Sequence, residues 1–196
     1  VAEQADAHMF TVNHQTNRIS PVKTKRFSEL GFTERKHLQE WLAHEPSALG
    51  EELLIIQKEF DGFDDTRERL DLLALDKDGN LVIIENKLDD SGRDVVWQAL
   101  KYASYCASLT KAQIVDIYQQ YLDRYEPVTR EVDLLNAPAS ASARICEFLD
   151  APDLDELKLN LGNSQRIMLV AANFRKEVTS TALWLLGQGI SIACFK

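Results

Sequence analysis

The chain has 196 residues, 45% hydrophobic and 27% charged, a composition that fits a globular protein and excludes a disordered one. No apolar run approaches the roughly 20 residues of a membrane-spanning helix. A net charge of −9 and a pI near 5.0 exclude a uniformly basic surface that would coat DNA regardless of sequence, but not a local basic groove or a cluster of carboxylates around a cation.

The first residues, VAEQADAHMF, lack the basic-then-apolar pattern of a signal peptide. Cys106, Cys146 and Cys194 are far apart and form no CxxC pair, so we expect reduced, buried thiols and a cytoplasmic protein. Residues 9–22 read as two short strands around a polar turn. From Thr33, a suitable N-cap, TERKHLQEWLAHEP puts Leu38, Trp41 and Leu42 on one helical face and stops at Pro46. A short helical stretch around SALGEE leads into the strand 53–60, and a hairpin follows over 70–87.

Val95 to Leu109 has helical apolar spacing, and Thr110 can cap a further helix to Tyr125 that buries Ile114, Ile117, Tyr118, Tyr121 and Leu122. NAPASASA is a small-residue linker, followed by a helix near 142–150. A strand (166–174), a helix (178–189) and a strand (190–195) close the chain. This order predicts one α/β domain around a mixed sheet, antiparallel in its middle and extended by a crossover.

The hairpin RLDLLALDKDGNLVIIENK carries charges where it should bury aliphatic groups. Side chains alternate along a strand, so Leu81, Ile83, Glu85 and Lys87 share one face. Asp76 and Gly79 fit a type I turn with Gly79 left-handed, the common three-residue bulged loop. That loop pairs Leu75 with Leu81, Leu73 with Ile83 and Asp71 with Glu85; a two-residue loop would instead set Asp71 opposite Asn86. Two carboxylates facing each other across a sheet repel, and a hard divalent cation between them reverses the sign. Lys87 reaches the same space. A salt-bridged cluster of the three is the plain alternative, and for a bare D…ExK pattern it is the better one.

The neighbours shift that balance. LGEELLII, RLDLLALD, VIIENK and VVWQALKYASY together resemble the PD-(D/E)XK, or restriction-endonuclease-like, nuclease superfamily. The resemblance is closest to the branch of mismatch- and branch-specific endonucleases and RecB-type nuclease domains. It covers residues 33–110 and 165–196 as the nuclease core, leaving 1–32 as a β-hairpin appendage and 111–164 as a helical insert. It implies a restriction-endonuclease-like α/β core, a central mixed sheet flanked by helices. It also implies Mg²⁺- or Mn²⁺-dependent hydrolysis of DNA. Asp71 and Glu85 would then ligate the ion, with the Asn86 backbone carbonyl and a helical carboxylate, Glu51 or its neighbour Glu52, Glu51 being favoured. Lys87 would position or activate the attacking water, and Gln98 and Tyr102 would orient the substrate or the lysine. Asn86 replaces a usually apolar residue, and its side chain needs a polar partner. A homodimer is a common arrangement for such sites. Two other readings stand beside this one: a catalytically inactive, nucleic-acid-binding or regulatory module, and a purely structural domain.

The remaining features have plainer uses. Arg69, Arg93 and Lys101 are candidate phosphate contacts, though solubilising charge is the better reading of each. Trp97 is better read as helix packing than as a base-stacking platform. The Tyr118, Tyr121 and Tyr125 stripe suits the core of the insert or an oligomer contact. His8, His14, His37 and His44 form no metal-ligand pair and are expected to face solvent. No GxxxxGK loop is present, which argues against nucleotide hydrolysis.

Overall fold

A computed structural model describes residues 9–62, 69–126 and 140–196. Five strands form one mixed sheet in sequence order: β3 (Leu54–Phe60), β4 (Leu70–Leu75), β5 (Leu81–Asp90), β6 (Arg166–Asn173) and β7 (Ser191–Phe195). β3, β4 and β5 are antiparallel neighbours, whereas β5–β6 and β6–β7 are parallel. The expected mixed α/β sheet flanked by helices is therefore what the chain forms. Leu72 through Leu75 and Leu81 through Ile84 are fully buried, because helices cover both faces of the central strands.

One face packs against α2 (Val95–Cys106), α3 (Lys111–Tyr125), α4 (Ala141–Phe148) and α5 (Lys176–Gly187). Thr110 and Gln113 form a reciprocal capping box that starts α3. Ile114, Ile117, Tyr118, Leu122, Ala141 and Ile145 belong to the same apolar cluster as Leu73, Ile83 and Leu169. The described part of 111–164 thus completes this helical layer and is not a separate lobe, because α3 lies directly on β3. The other face is covered by a π-helical turn (Glu34–Leu38), α1 (Gln39–His44) and a 3₁₀ turn (Pro46–Leu49). Leu38 and Leu42 are buried there as expected. Trp41 is 40% exposed instead, since its ring meets Phe27 and Phe32 outside the core.

β1 (Phe10–Asn13) and β2 (Arg18–Pro21) form a separate two-stranded hairpin, and every residue from Met9 to Gly31 is exposed. Cys106 is buried but Cys194 is exposed, which corrects the expectation for that thiol. His37 faces the chain: its Nδ1 accepts the Thr33 backbone N–H at 3.0 Å, capping the turn that starts at Glu34. His8 and residues 136–139 of the small-residue linker lie outside the described residues. Among the described residues, no helix is long and apolar enough to cross a membrane.

The β4–β5 turn has the bulged form. Leu75 pairs with Leu81 and Leu73 with Ile83, Asp76 N–H donates to the Asn80 carbonyl, and Gly79 has φ +77°. Asp76 Oδ1 accepts the N–H groups of Asp78 and Asn80, which fixes the loop. A Cβ at position 79 would lie 2.8 Å from the Lys158 carbonyl oxygen. Gly79→Ala is therefore expected to lower stability by roughly 1–3 kcal/mol, measured by denaturant unfolding. An unchanged midpoint would mean that the turn tolerates another geometry.

Candidate active site at the end of the central hairpin

The register places Leu72 opposite Ile84, so the next step along both strands brings Asp71 to Glu85. Asp71 is tied from two sides. Its Oδ2 accepts the Asn86 backbone N–H at 2.9 Å, and its carbonyl accepts the Gln39 amide N–H at 2.9 Å. Glu85 is 2% exposed; its Oε2 lies 3.9 Å from Lys87 Nζ, while its Oε1 is buried with no hydrogen-bond partner among the described residues. The structure thus brings together Asp71, Glu85 and Lys87.

A fourth member was not expected. Glu34, the first residue of the π-helical turn, directs Oε1 to Lys87 Nζ at 3.5 Å and accepts the Leu88 N–H on Oε2 at 3.1 Å. π-Helical turns recur at functional sites. In the sequence Glu34 reads as an ordinary first-turn acid favoured by the helix dipole, and only the fold reveals its other role. Glu51, the expected helical carboxylate, is elsewhere. Arg166 holds it with two bonds of 2.7 Å and also reaches Asp76 at 3.0 Å, at the turn end of the hairpin. Glu52 is exposed beside Lys77 at 3.6 Å.

Tyr102 and Gln98 also differ from expectation. Tyr102 is buried and its hydroxyl donates to the Arg69 carbonyl at 3.0 Å, so it braces the backbone leading into Asp71. Gln98 is half-buried on α2 with no side-chain hydrogen bond among the described residues, and Trp97 beside it is 67% exposed and does not pack into the helix layer. The Asn86 side chain, expected to find a polar partner, is fully buried with neither amide atom bonded among the described residues. Of the candidate phosphate contacts, Arg69 lies 3.5 Å from Asp61 and 4.0 Å from Glu59, and Arg93 4.0 Å from Glu177. Lys101 sits over the Tyr102 ring.

Burial and mutual repulsion set the electrostatics. Burial pushes Asp71 up to about 6, against the pull of the Asn86 N–H and Lys87. Burial, then the Asp71 charge, pushes Glu85 up to about 8. Burial opposes the Lys87 ammonium, but the Asp71, Glu34 and Glu85 carboxylates outweigh it and hold Lys87 above its ordinary range. A buried carboxyl that keeps its proton in the folded state binds more protons there than unfolded. Stability is then full below the unfolded pKa and falls as pH rises toward the folded one. The metal-free protein is expected to lose stability from about pH 4.5 to pH 8, by on the order of 1.4 kcal/mol per unit for one such group. Chemical denaturation across that range, with Glu85→Gln flattening the slope, checks this; equal slopes in both proteins would refute it.

Two hard oxygen donors, one carrying an unpaired buried oxygen, fit a magnesium-like ion, which needs only one or two carboxylates besides water and phosphate oxygens. Among the described residues, no group of three or more His, Cys, Asp or Glu side chains is placed to hold a metal ion.

The described residues thus form a mixed five-stranded sheet with an acid–acid–lysine cluster at one end of its central hairpin. No protein-family model matches the chain, and no curated protein matches it. Among solved structures it is similar to EndoMS in complex with double-stranded DNA, at 13% identity and a TM-score of 0.39, over 91% of this chain and 51% of that one. It is also similar to a repair endonuclease from Pyrococcus abyssi, at 13% identity and a TM-score of 0.37, over 98% of this chain and 67% of that one. The chain spans about half the length of the first. Neither likeness transfers an activity at such distance.

Proposed function

We propose that this chain is a metal-dependent nuclease of the PD-(D/E)XK kind that hydrolyses phosphodiester bonds in DNA. One observation supports this reading above the others: Asp71 and Glu85 meet beside Lys87, with Glu85 Oε1 buried and unsatisfied. Bound Mg²⁺ or Mn²⁺ supplies Lewis acidity toward a phosphate oxygen and a more acidic water. Asp71 and Glu85 are the residues to hold it, with the Asn86 carbonyl as a further candidate. Glu34, not Glu51, stands beside this cluster, and there it fixes Lys87. Lys87, beside both acids, would position or activate the attacking water or offset charge on the phosphate. A homodimer, which would bring one such centre to each strand of a duplex, belongs to the reading.

The test is a cleavage panel of labelled single-stranded, duplex and branched DNA and of RNA, with Mg²⁺, Mn²⁺ or chelator and with Lys87→Ala as control. Metal-dependent DNA cleavage lost in the variant is expected. No cleavage of any substrate with either ion would sink the proposal. That no three such side chains among the described residues are placed to hold a metal favours a second reading, an inactive nucleic-acid-binding or regulatory module; binding without cleavage in the same panel would select it.

A further inference from the structure

We infer that the segment Met9–Ser28 is a nucleic-acid-binding arm that grips the phosphate backbone beside the candidate active site. This inference rests on the nuclease reading and adds to it the surface that holds the substrate. The segment contains Arg18, Lys23, Lys25 and Arg26 and not one Asp or Glu, in a chain of net charge −9, so the rest of the molecule sits at −13. Such an acidic body repels a polyanion, and a substrate must be held by whatever cations remain unneutralised.

Of the sixteen cations among the other described residues, at least nine are already engaged: Arg35, Lys58, Arg69, Lys77, Lys87, Arg93, Arg144, Arg166 and Arg175 each face a carboxylate within 4.0 Å. Among the described residues, none of the four arm cations has an ion-pair partner, and all four are exposed. The arm is nonetheless shaped. Asn13 Oδ1 accepts the N–H groups of Gln15 and Thr16, Asn17 is left-handed at φ +51°, and Val12 pairs with Ile19. Polar side chains at Thr11, Asn13, Arg18 and Ser20 alternate with Phe10, Val12, Ile19 and Pro21, which gives the hairpin one face suited to phosphate contacts.

Its root is fixed next to the site. The Phe27 ring lies 5.4 Å from that of Trp41 and 6.1 Å from that of Phe32. Trp41 belongs to α1, the helix whose Gln39 holds the Asp71 carbonyl. Arg26 precedes Glu34 by eight residues, a reach of at most roughly 29 Å even if fully extended. That is less than one turn of duplex DNA, about 34 Å, so Arg26 and the cleavage centre can engage one helical turn.

The experiment compares the wild-type chain with the quadruple variant Arg18→Gln, Lys23→Gln, Lys25→Gln, Arg26→Gln. Binding to a fluorescent 30-base-pair duplex and to its single strand is measured in chelator, between 50 and 200 mM salt. The variant is expected to bind the duplex at least 10-fold more weakly at the lowest salt, with the slope of log K against log salt shallower by roughly 2–4, near 0.9 per lost phosphate contact. Its thermal midpoint should not change, and the charge-keeping swap Arg18→Lys, Lys23→Arg, Lys25→Arg, Arg26→Lys should bind as the wild type does. Unchanged affinity and slope in the Gln variant would overturn the arm, as would a wild-type protein that binds no nucleic acid. So would a variant that loses only binding to anionic phospholipid vesicles. Failure of the nuclease reading is separate: it would show as intact, arm-dependent binding with no metal-dependent cleavage of the same duplex.

Discussion

Glu85→Gln is expected to stabilise the metal-free protein at pH 8 and to abolish its response to metal. Both effects have one origin. Glu85 is buried, faces Asp71 and keeps its proton to about pH 8, so ionising it works against the fold. A neutral amide of the same shape removes that penalty, and the thermal midpoint in chelator should rise by a few degrees. The same substitution deletes the carboxylate that would share the ion with Asp71. Mg²⁺- or Mn²⁺-induced stabilisation should then vanish, and cleavage should fall by about 100-fold or more, since even supporting residues around a metal are worth 10–100-fold. Differential scanning fluorimetry with and without metal, paired with the duplex cleavage assay, gives both readouts. A purely structural ion-pair cluster predicts otherwise: metal would never shift the midpoint of the wild-type protein.

Arg166→Met should produce the largest loss of stability. The Arg166 guanidinium binds Glu51 with two parallel bonds and spans to Asp76, which is 3% exposed. Removing the cation leaves Asp76 buried with no opposite charge and frees the segment before β3. Breaking a buried pair commonly costs 3–5 kcal/mol; because Arg166 and Glu51 are partly exposed, roughly 2–4 kcal/mol is the expected loss. Urea unfolding measures it. Glu51→Gln is the informative partner, because it should cost about 1 kcal/mol and leave cleavage unaffected. A large loss of activity with intact stability would return Glu51 to the active site.

The two glutamates show what local sequence reveals and what it hides. The Asp76-to-Gly79 turn fixes the hairpin register through short-range chemistry, and that register alone brings Asp71 to Glu85 and Lys87. The strands were legible for a similar reason, since β4 and β5 are apolar runs bounded by turn residues. Glu51 matched its local pattern, LGE, yet its side chain is committed to an arginine 115 residues away. No local spacing announces such a partner. Glu34 enters the site only because the His37 cap and the π-helical turn aim it across the end of β5. The packing of α3 onto β3 and the exposure of Trp97 likewise depend on which face the sheet turns to each helix, a three-dimensional fact with only a weak trace in helical periodicity.

The parallel pairing of β5 with β6 has a consequence for biosynthesis. Ile83 must wait for Ile167. At 5–20 residues per second, a ribosome takes roughly 4–16 s to deliver the second strand after the first. Through that interval the nascent hairpin offers a long, apolar, unpaired edge, the kind that recruits chaperones or sticks to its own copies. Any translational pause in the intervening stretch would prolong the interval, so yield on overexpression should depend on elongation speed there more than on growth temperature.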